Sequence, residues 1–542
     1  MMDSASYSAP FAALWDTFGR GTVVAVLVVV VVGELLLYAR FQAQRRSTLP
    51  PGPRPWPILG NFFVFSDVNH AHHDLRRLAA KFGPLMYLQL GSVPCVVVST
   101  AEAAKELFRG HNDECLISRP KMLGLEILSD NYQLMAYAPA PGKLWHSLRK
   151  FGSMELFSFK RVAFYRSLRE EELRHWIKFV LESREGEAMN LKSCVFELAA
   201  NMMTRMLVNK RMFDITGADT QQQLLRSEFE SFMEEHYKCL MPNVISDFLP
   251  FLRFFCEKLQ GWRAYIQDHQ EKSVEFWTRI IEVEKHRQRA AERQNDGSYV
   301  PDLVDFMSTA PLDDGKVLSD RNITLQILDF FLGGTDTTPL TLEWAMAELV
   351  THPNFMKRAQ EELDRVVGLE RLVEETDFPN LPFLQAIVKE TYRLHPVGPL
   401  GGPRESTEPV EALGYKIPAK TRVILNIFAI HRDPAVYERP DEFDPTRFLD
   451  RHRNVNPLAA FDSYELMPFG VGRRMCPAFN LGNTTVHLIL ANLIHNFDWA
   501  LADGQNIDTF DMTERLHGVT FSLKYALSLI PTARSGILAR AL

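Results

Sequence analysis

The chain is poor in cysteine. Six occur in 542 residues, Cys95, Cys115, Cys194, Cys239, Cys256 and Cys476, and no two form a Cys-x-x-Cys pair. That scatter excludes a disulfide framework and a multi-cysteine zinc site, and it places the bulk of the chain in a reducing compartment. An excess of positive charge is also missing: 60 Lys and Arg stand against 67 Asp and Glu, a net charge of -7. A dedicated nucleic-acid binder, whose affinity comes from a basic face, is therefore disfavoured. There is no internal repeat, and no low-complexity tract beyond one valine-rich stretch. What remains is ample for a large core, with 46% hydrophobic residues; length alone suggests about three or four domains.

Long apolar runs are scarce too, and the single exception is informative. Gly21 to Ala39 reads GTVVAVLVVVVVGELLLYA, close to the ~20 residues needed to span hydrocarbon as a helix. Its one acid, Glu34, stands near the C-terminal end, where the interface is within reach. Arg40, Arg45 and Arg46 follow the run and only Arg20 precedes it, so the positive-inside rule places the downstream body in the cytosol. A cleaved signal peptide fits less well, since the run is long for one and its charge lies on the wrong side. The expected organisation is a lumenal tail (1–20), a transmembrane signal anchor (21–39), a basic and proline-rich linker (40–61) and a catalytic domain (62–542). In the linker, prolines at 50, 51, 53, 55 and 57 predict a stiff, extended spacer. A ligand for a proline-binding domain is the alternative, less suited to a position beside an anchor.

Beyond the linker the patterns are mainly helical with a small β-rich region. Leu85–Leu90 (LMYLQL) and Val96–Val98 read as short strands around a turn at Gly91. A charged helical run extends from about Ile266 to Arg293 and stops at Asn295-Asp296-Gly297, a turn signal.

Four stretches have residue types suited to chemistry. Phe469 to Phe479 is FGVGRRMCPAF. A thiolate ligand needs stabilisation, and a helix N-terminus offers free N–H groups and a positive dipole end. Pro477 suits a first helical turn, Gly470 and Gly472 allow close backbone approach to a flat ligand, and Arg474 suits a ligand carboxylate. Each residue has a bland reading alone; their combination does not. Ile327 to Glu343, ILDFFLGGTDTTPLTLE, puts Gly333, Gly334 and Pro339 in a helical pattern at about 1 kcal/mol per glycine and ~3 for proline. It reads either as a helix end followed by a second helix, or as a loosened turn where freed backbone and the Thr337 hydroxyl hold O2 and water. In KETYR, Glu390 and Arg393 share one helix face, a common surface arrangement worth little by itself. In WHSLR, Trp145 and Arg149 share a face at i,i+4, for which a snorkelling arginine beside a core tryptophan is the plain alternative.

Taken together and in order, these stretches resemble the cytochrome P450 family, from the proline-rich linker to near Val519. Phe469-x-x-Gly472-x-Arg474-x-Cys476 resembles its haem-binding signature, with Ala478 where the pattern usually has glycine. The resemblance implies haem b (iron protoporphyrin IX) with Cys476 as axial ligand to the iron, a thiolate whose electron donation favours O–O cleavage. GGTDTT resembles the oxygen-binding motif, implying that Thr337 assists oxygen activation and Asp336 helps relay protons. Glu390-x-x-Arg393 and Arg447, in Pro445-Thr446-Arg447-Phe448, resemble the family's buried structural triad. Trp145, Arg149 and Arg404 (in GGPRES) match positions that contact haem propionates.

The linker and the stretches FAIHRDP and HNFDW look most like the plant microsomal branch. The resemblance therefore implies a single-pass protein of the endoplasmic reticulum membrane, a mainly helical fold with a small β-rich region, and hydroxylation of a small apolar or aromatic metabolite. Phenylpropanoids, terpenoids, fatty acids and amino-acid derivatives are the classes concerned. Electrons are expected from NADPH-cytochrome P450 reductase, docked near Cys476; Arg149, Lys150 and Arg473 are candidates for that contact or for solvated or haem-facing roles. Substrate contacts are expected from Met122–Tyr137, Phe330–Thr338, Val397–Gly402 and Gly518–Phe521. The rival readings are a haem-thiolate isomerase or dehydratase, which usually lacks the Asp336-Thr337 pair, and a haem-binding sensor without turnover.

Overall fold

A computed structural model describes residues 29, 33, 48–214, 220–240, 245–253, 261–292, 301–312, 315–502, 505–517 and 519–534. The expected anchor at 21–39 lies outside the described residues apart from positions 29 and 33, as do the lumenal tail and residues 40–47 of the linker. Among the described residues no helix is long and apolar enough to cross a membrane.

Helices dominate. The six that frame the site are α1 (Lys143–Phe151), α2 (Leu191–Val208), α3 (Asp320–Thr351), α4 (Pro353–Val367), α5 (Pro382–Leu394) and α6 (Phe479–Asn496). α3 is the axle. Ser319 caps it by accepting the Asn322 N–H at 3.2 Å, as N-cap serines do. A helix apolar on every side belongs inside the protein, and α3 is buried almost throughout. Its C-terminal half packs Leu342, Trp344, Met346 and Leu349 against α2, α4, α5 and α6 in one cluster, with Leu198, Leu363, Ile387 and Leu490 among the partners. Its N-terminal half packs Ile323, Ile327 and Phe331 into a second cluster with Met203 and Met206 of α2. Glu362 of α4 accepts the Phe383 and Leu384 N–H groups at 2.9 Å each and so caps the start of α5.

The β-rich region is built on a four-stranded sheet. Strands β1 (Leu85–Leu90), β2 (Val93–Val98), β3 (Arg404–Glu405) and β4 (Arg422–Leu425) lie in the order β1-β2-β4-β3. β1 and β2 are antiparallel with Leu85 opposite Val98, and β2 runs parallel to β4 with Val97 opposite Ile424. The expected hairpin around Gly91 is present, Gly91 having φ +60.

Two expectations need correction. The proline-rich stretch is no free spacer from residue 50 onward. Pro51 accepts the Tyr87 N–H at 2.9 Å, and the Asn61 N–H donates to Gln89 at 2.5 Å, so the segment docks along β1. The charged run is not one helix either. It breaks between Trp262–Ile281 and Val283–Glu292, where Glu282 takes a left-handed φ of +52. Lys210 holds the Glu282 carboxylate at 2.6 Å from another part of the chain, and with Lys285 it lowers that carboxyl to about 2. Neighbouring patterns cannot reveal such a tether.

Candidate functional site

The cysteine loop is shaped by its glycines and anchored from below. Gly470 and Gly472 both have φ +74, a conformation glycine adopts without strain. The Gly470 N–H donates to Met467, Met475 to Gly472, and Cys476 to Phe469, each at 2.9 Å. Space decides Gly472 a second time: a Cβ there would stand 2.2 Å from Asp113 Oδ1 and 3.0 Å from Arg404 Nη1. Gly472→Ala is therefore expected to destabilise the fold by roughly 1–3 kcal/mol, checked by thermal unfolding. An unchanged melt would show that Asp113 steps aside freely.

Below the loop, the Met467 N–H donates to His431 Nε2 at 2.8 Å, while His431 Nδ1 faces the Tyr392 carbonyl at 3.2 Å. That pair of contacts fixes the neutral tautomer with its proton on Nδ1. Burial, followed by the nearby Arg393 and Arg432, holds the imidazole down at about 3. The Phe469 ring meets Tyr392 edge-on at 5.5 Å.

Cys476 ends this loop three residues before α6 starts, so Pro477 precedes the helix and does not occupy its first turn. Burial pushes the thiol up; the Ala478 N–H and the Arg149 guanidinium oppose that by favouring the thiolate. Ala478 itself sits at φ -95, so alanine in place of the usual glycine costs no backbone strain.

Arginines converge beside the loop. Arg404 donates to Asp113 Oδ1 at 3.2 Å and to the Val471 carbonyl, and lies over the Phe108 ring at 4.4 Å. Arg474 donates to the carbonyls of Ile117 at 2.6 Å, Met135 at 3.1 Å and Ala138, and stacks over Trp145 of α1 at 4.6 Å. Arg149, also on α1, is half-buried, whereas Lys150 is exposed and Arg473 reaches outward to Glu114. Arg119 donates to Gly402 at 2.7 Å and Pro403 at 2.9 Å. Burial and mutual repulsion lower Arg474 to about 8 and Arg404 to about 10. Among the described residues Asp113 is the one carboxylate acting on this group, and burial raises it.

The glycine stretch does not end a helix: α3 runs unbroken through Gly333, Gly334 and Pro339. Its backbone is loosened in another way. Pro339 has no N–H to give the Thr335 carbonyl. The hydroxyls of Thr335, Thr337 and Thr341 donate back to Phe331 at 2.7 Å, Gly333 at 2.9 Å and Thr337 at 2.9 Å, a pattern that bends helices. Between Ile323 and Val350 only Gly333 and Thr337 are exposed. Two accessible positions one turn apart on an internal helix mark the wall of an interior cavity. Asp336 is buried, and its carboxylate accepts from Thr520 at 2.9 Å and from Tyr237.

Glu390 and Arg393 are fully buried. Arg393 donates to Glu390 Oε2 at 2.7 Å and Oε1 at 2.8 Å, and Arg447 Nε donates to Glu390 Oε1 at 3.1 Å. The three side chains meet in one ion-paired cluster.

The cytochrome P450 family model matches residues 50–527. A flavonoid 3'-monooxygenase of Petunia hybrida is 35% identical over 501 residues, 92% of this chain and 95% of that protein. Tabersonine 16-hydroxylase 2 of Catharanthus roseus is 37% identical over 497 residues, 90% and 93% of the two chains. Dimethylnonatriene synthase of Zea mays is 35% identical over 512 residues, 93% and 94%. The chain belongs to the cytochrome P450 family.

It is accordingly a cytochrome P450 monooxygenase of the plant branch, an oxidoreductase that binds haem b. The interior suits that cofactor. A lone thiol meets an N–H and a guanidinium, and four clustered arginines have one carboxylate among the described residues to offset them. A planar ligand with two carboxylates supplies the missing negative charge. Sequence reasoning overlooked Asp113 and Arg119, which the P450 fold brings in from the segment before α1, and His431, quoted only as part of FAIHRDP. It also passed over Asp329. No local pattern marked any of them.

Proposed function

We propose that this cytochrome P450 hydroxylates a small apolar or aromatic metabolite, using O2 and electrons from NADPH delivered by NADPH-cytochrome P450 reductase. Cys476 is the thiolate ligand, and Arg149, Arg404 and Arg474, with Trp145 behind Arg474, form the seat for the propionates. Bound there, haem supplies the oxygen-activating chemistry. The chain supplies proton control and water exclusion. The observation that carries this reading is the pairing of the accessible Gly333–Thr337 stripe with a buried thiol favoured as thiolate by Arg149 and the Ala478 N–H. Thr337 donates its proton to Gly333, which leaves its oxygen lone pairs to hold a water or a dioxygen-derived group in the cavity. Asp336, tethered by Thr520 and Tyr237, reaches that position only by releasing a tether, so the two anchors time the proton it delivers.

The same reading places the protein in the endoplasmic reticulum membrane by its 21–39 segment, with the body cytosolic. Exposed Trp56, Ile58, Leu59 and Phe63 support apolar contact with the bilayer beside the anchor. Lys150 and Arg473, being outward, are the better candidates for reductase contact than Arg149. The relatives named for a flavonoid and for tabersonine support an aromatic or polycyclic substrate.

The test is Thr337→Ala in microsomes supplied with NADPH, O2 and a metabolite library. The variant is expected to keep haem and to consume NADPH while releasing more hydrogen peroxide and less product per NADPH. The loss should be smaller than the roughly 10²–10⁴-fold of a removed proton-transfer group, since ordered water replaces part of the function. Unchanged coupling would make Thr337 a helix residue with a satisfied hydroxyl; turnover without NADPH would indicate an isomerase.

A further inference from the structure

Asp329 lies one turn before Gly333 and two before Thr337, on one stripe of α3. It is half-buried where its neighbours Ile323–Leu328 are fully buried, so it shares the accessible face of the stripe. Gln326 Nε2 donates to Asp329 Oδ2 at 3.2 Å. The Gln326 carbonyl oxygen accepts the Met135 N–H at 3.0 Å, which fixes the amide with its NH2 toward Asp329. Among the described residues Gln326 is the one hydrogen-bond partner of this carboxyl, and no lysine or arginine pairs with it. Burial raises Asp329 to about 7.

The groups around it are few. Tyr137, from the loop before α1, is close enough for the Asp329 charge and burial to push its phenol upward, and Arg119 acts on Tyr137 in the opposite sense. Tyr237 lies beyond, bound to Asp336. Tyr137 and Tyr237 both pack on an apolar cluster that includes Met122, Leu123 and Ile127. The surroundings are thus a greasy wall with one carboxyl that has a single donor partner, which leaves its remaining acceptor sites open to a ligand.

We propose that Asp329 is the polar anchor of the substrate pocket and takes an alcohol or phenol hydroxyl of the substrate. The inference rests on the monooxygenase reading above and narrows it to hydroxyl-bearing molecules. A hydroxyl donates to the carboxylate and accepts from the carboxylic acid, so it satisfies both protonation states present near neutral pH. A carbonyl serves only the acid. An ammonium serves only the carboxylate, and it would bring a second positive charge toward Arg119.

The experiment uses the full-length holoenzyme in detergent and equilibrium dialysis against three probes built on one ring system: naphthalene, 2-naphthol and 2-naphthylmethylammonium. Wild type is expected to bind 2-naphthol ~10-fold more tightly than naphthalene, the value of one net hydrogen bond. D329L should bring the ratio near unity, with D329A as the second variant should leucine crowd the site. A wild type that does not prefer 2-naphthol, a preference for the ammonium, or a ratio unchanged in both variants overturns the proposal. The reduced CO-bound spectrum and, after addition of NADPH-cytochrome P450 reductase, NADPH consumption, both read on the same wild-type preparation, report separately on the monooxygenase reading. If they are intact and the ratio is flat, only the anchor fails.

Discussion

Cys476→Ser is expected to abolish both turnover and the absorption band that marks thiolate ligation in the reduced, CO-bound protein. A serine hydroxyl is not ionised by one N–H and one guanidinium, and it donates far less charge to iron than a thiolate. No other described cysteine has comparable surroundings. Burial pushes Cys95 and Cys239 up to about 12 and raises Cys115 as well, which makes them inert small hydrophobes. The loop should survive the change, because its fold depends on the Cys476 N–H to Phe469 and on Met467 at His431, neither of which uses sulfur. The variant is thus expected to be folded and dead. A retained thiolate band would move the ligand to another cysteine and overturn the site.

How far the sequence led is clearest in the contrast between local and distant partners. Glu390 with Arg393, Trp145 with Arg149, and Gly333 with Thr337 are i,i+3 or i,i+4 pairs, so a helix alone puts each pair on one face and the spacing was readable. The glycines of α3 were readable as unusual, yet their consequence was not. Propensity predicts a break there, whereas packing against α2 and α6 keeps the helix whole, since tertiary burial outweighs a few kcal/mol of local cost. Asp113 fills the space that Gly472 lacks a side chain to occupy, and Lys210 bends a helix seventy residues on. Those matches exist only after folding. Asp329 was hidden for a related reason: one acid in an apolar helix reads as a solvated position until the neighbouring elements enclose it.

Glu390→Gln is expected to cost about 3–5 kcal/mol, the price of breaking a buried ion pair on one side, out of the ~5–15 kcal/mol that holds a protein folded. The reason lies in the donor count. Arg393 has five N–H donors, and all five are placed: two on Glu390, the others on the carbonyls of His431 at 3.0 Å, Pro440 at 2.6 Å and Glu442 at 2.9 Å. Glu390 Oε1 in turn accepts from Arg393, from the Asp444 N–H at 2.8 Å and from Arg447. A glutamine must aim its NH2 at one of these donors and leaves the guanidinium charge uncompensated. An apolar pair, E390L/R393L, should not recover the loss, because the carbonyls of His431 and Pro440 would then lack their donor. The damage also has a route to the cysteine: Arg393 holds the His431 carbonyl, His431 holds Met467, and Met467 accepts the Gly470 N–H. Heating wild type and variant while following the thiolate band should therefore show that band disappearing earlier in E390Q. A melt within ~0.5 kcal/mol of wild type, the range of an ordinary surface change, would mean the triad is incidental to the stability of the haem side.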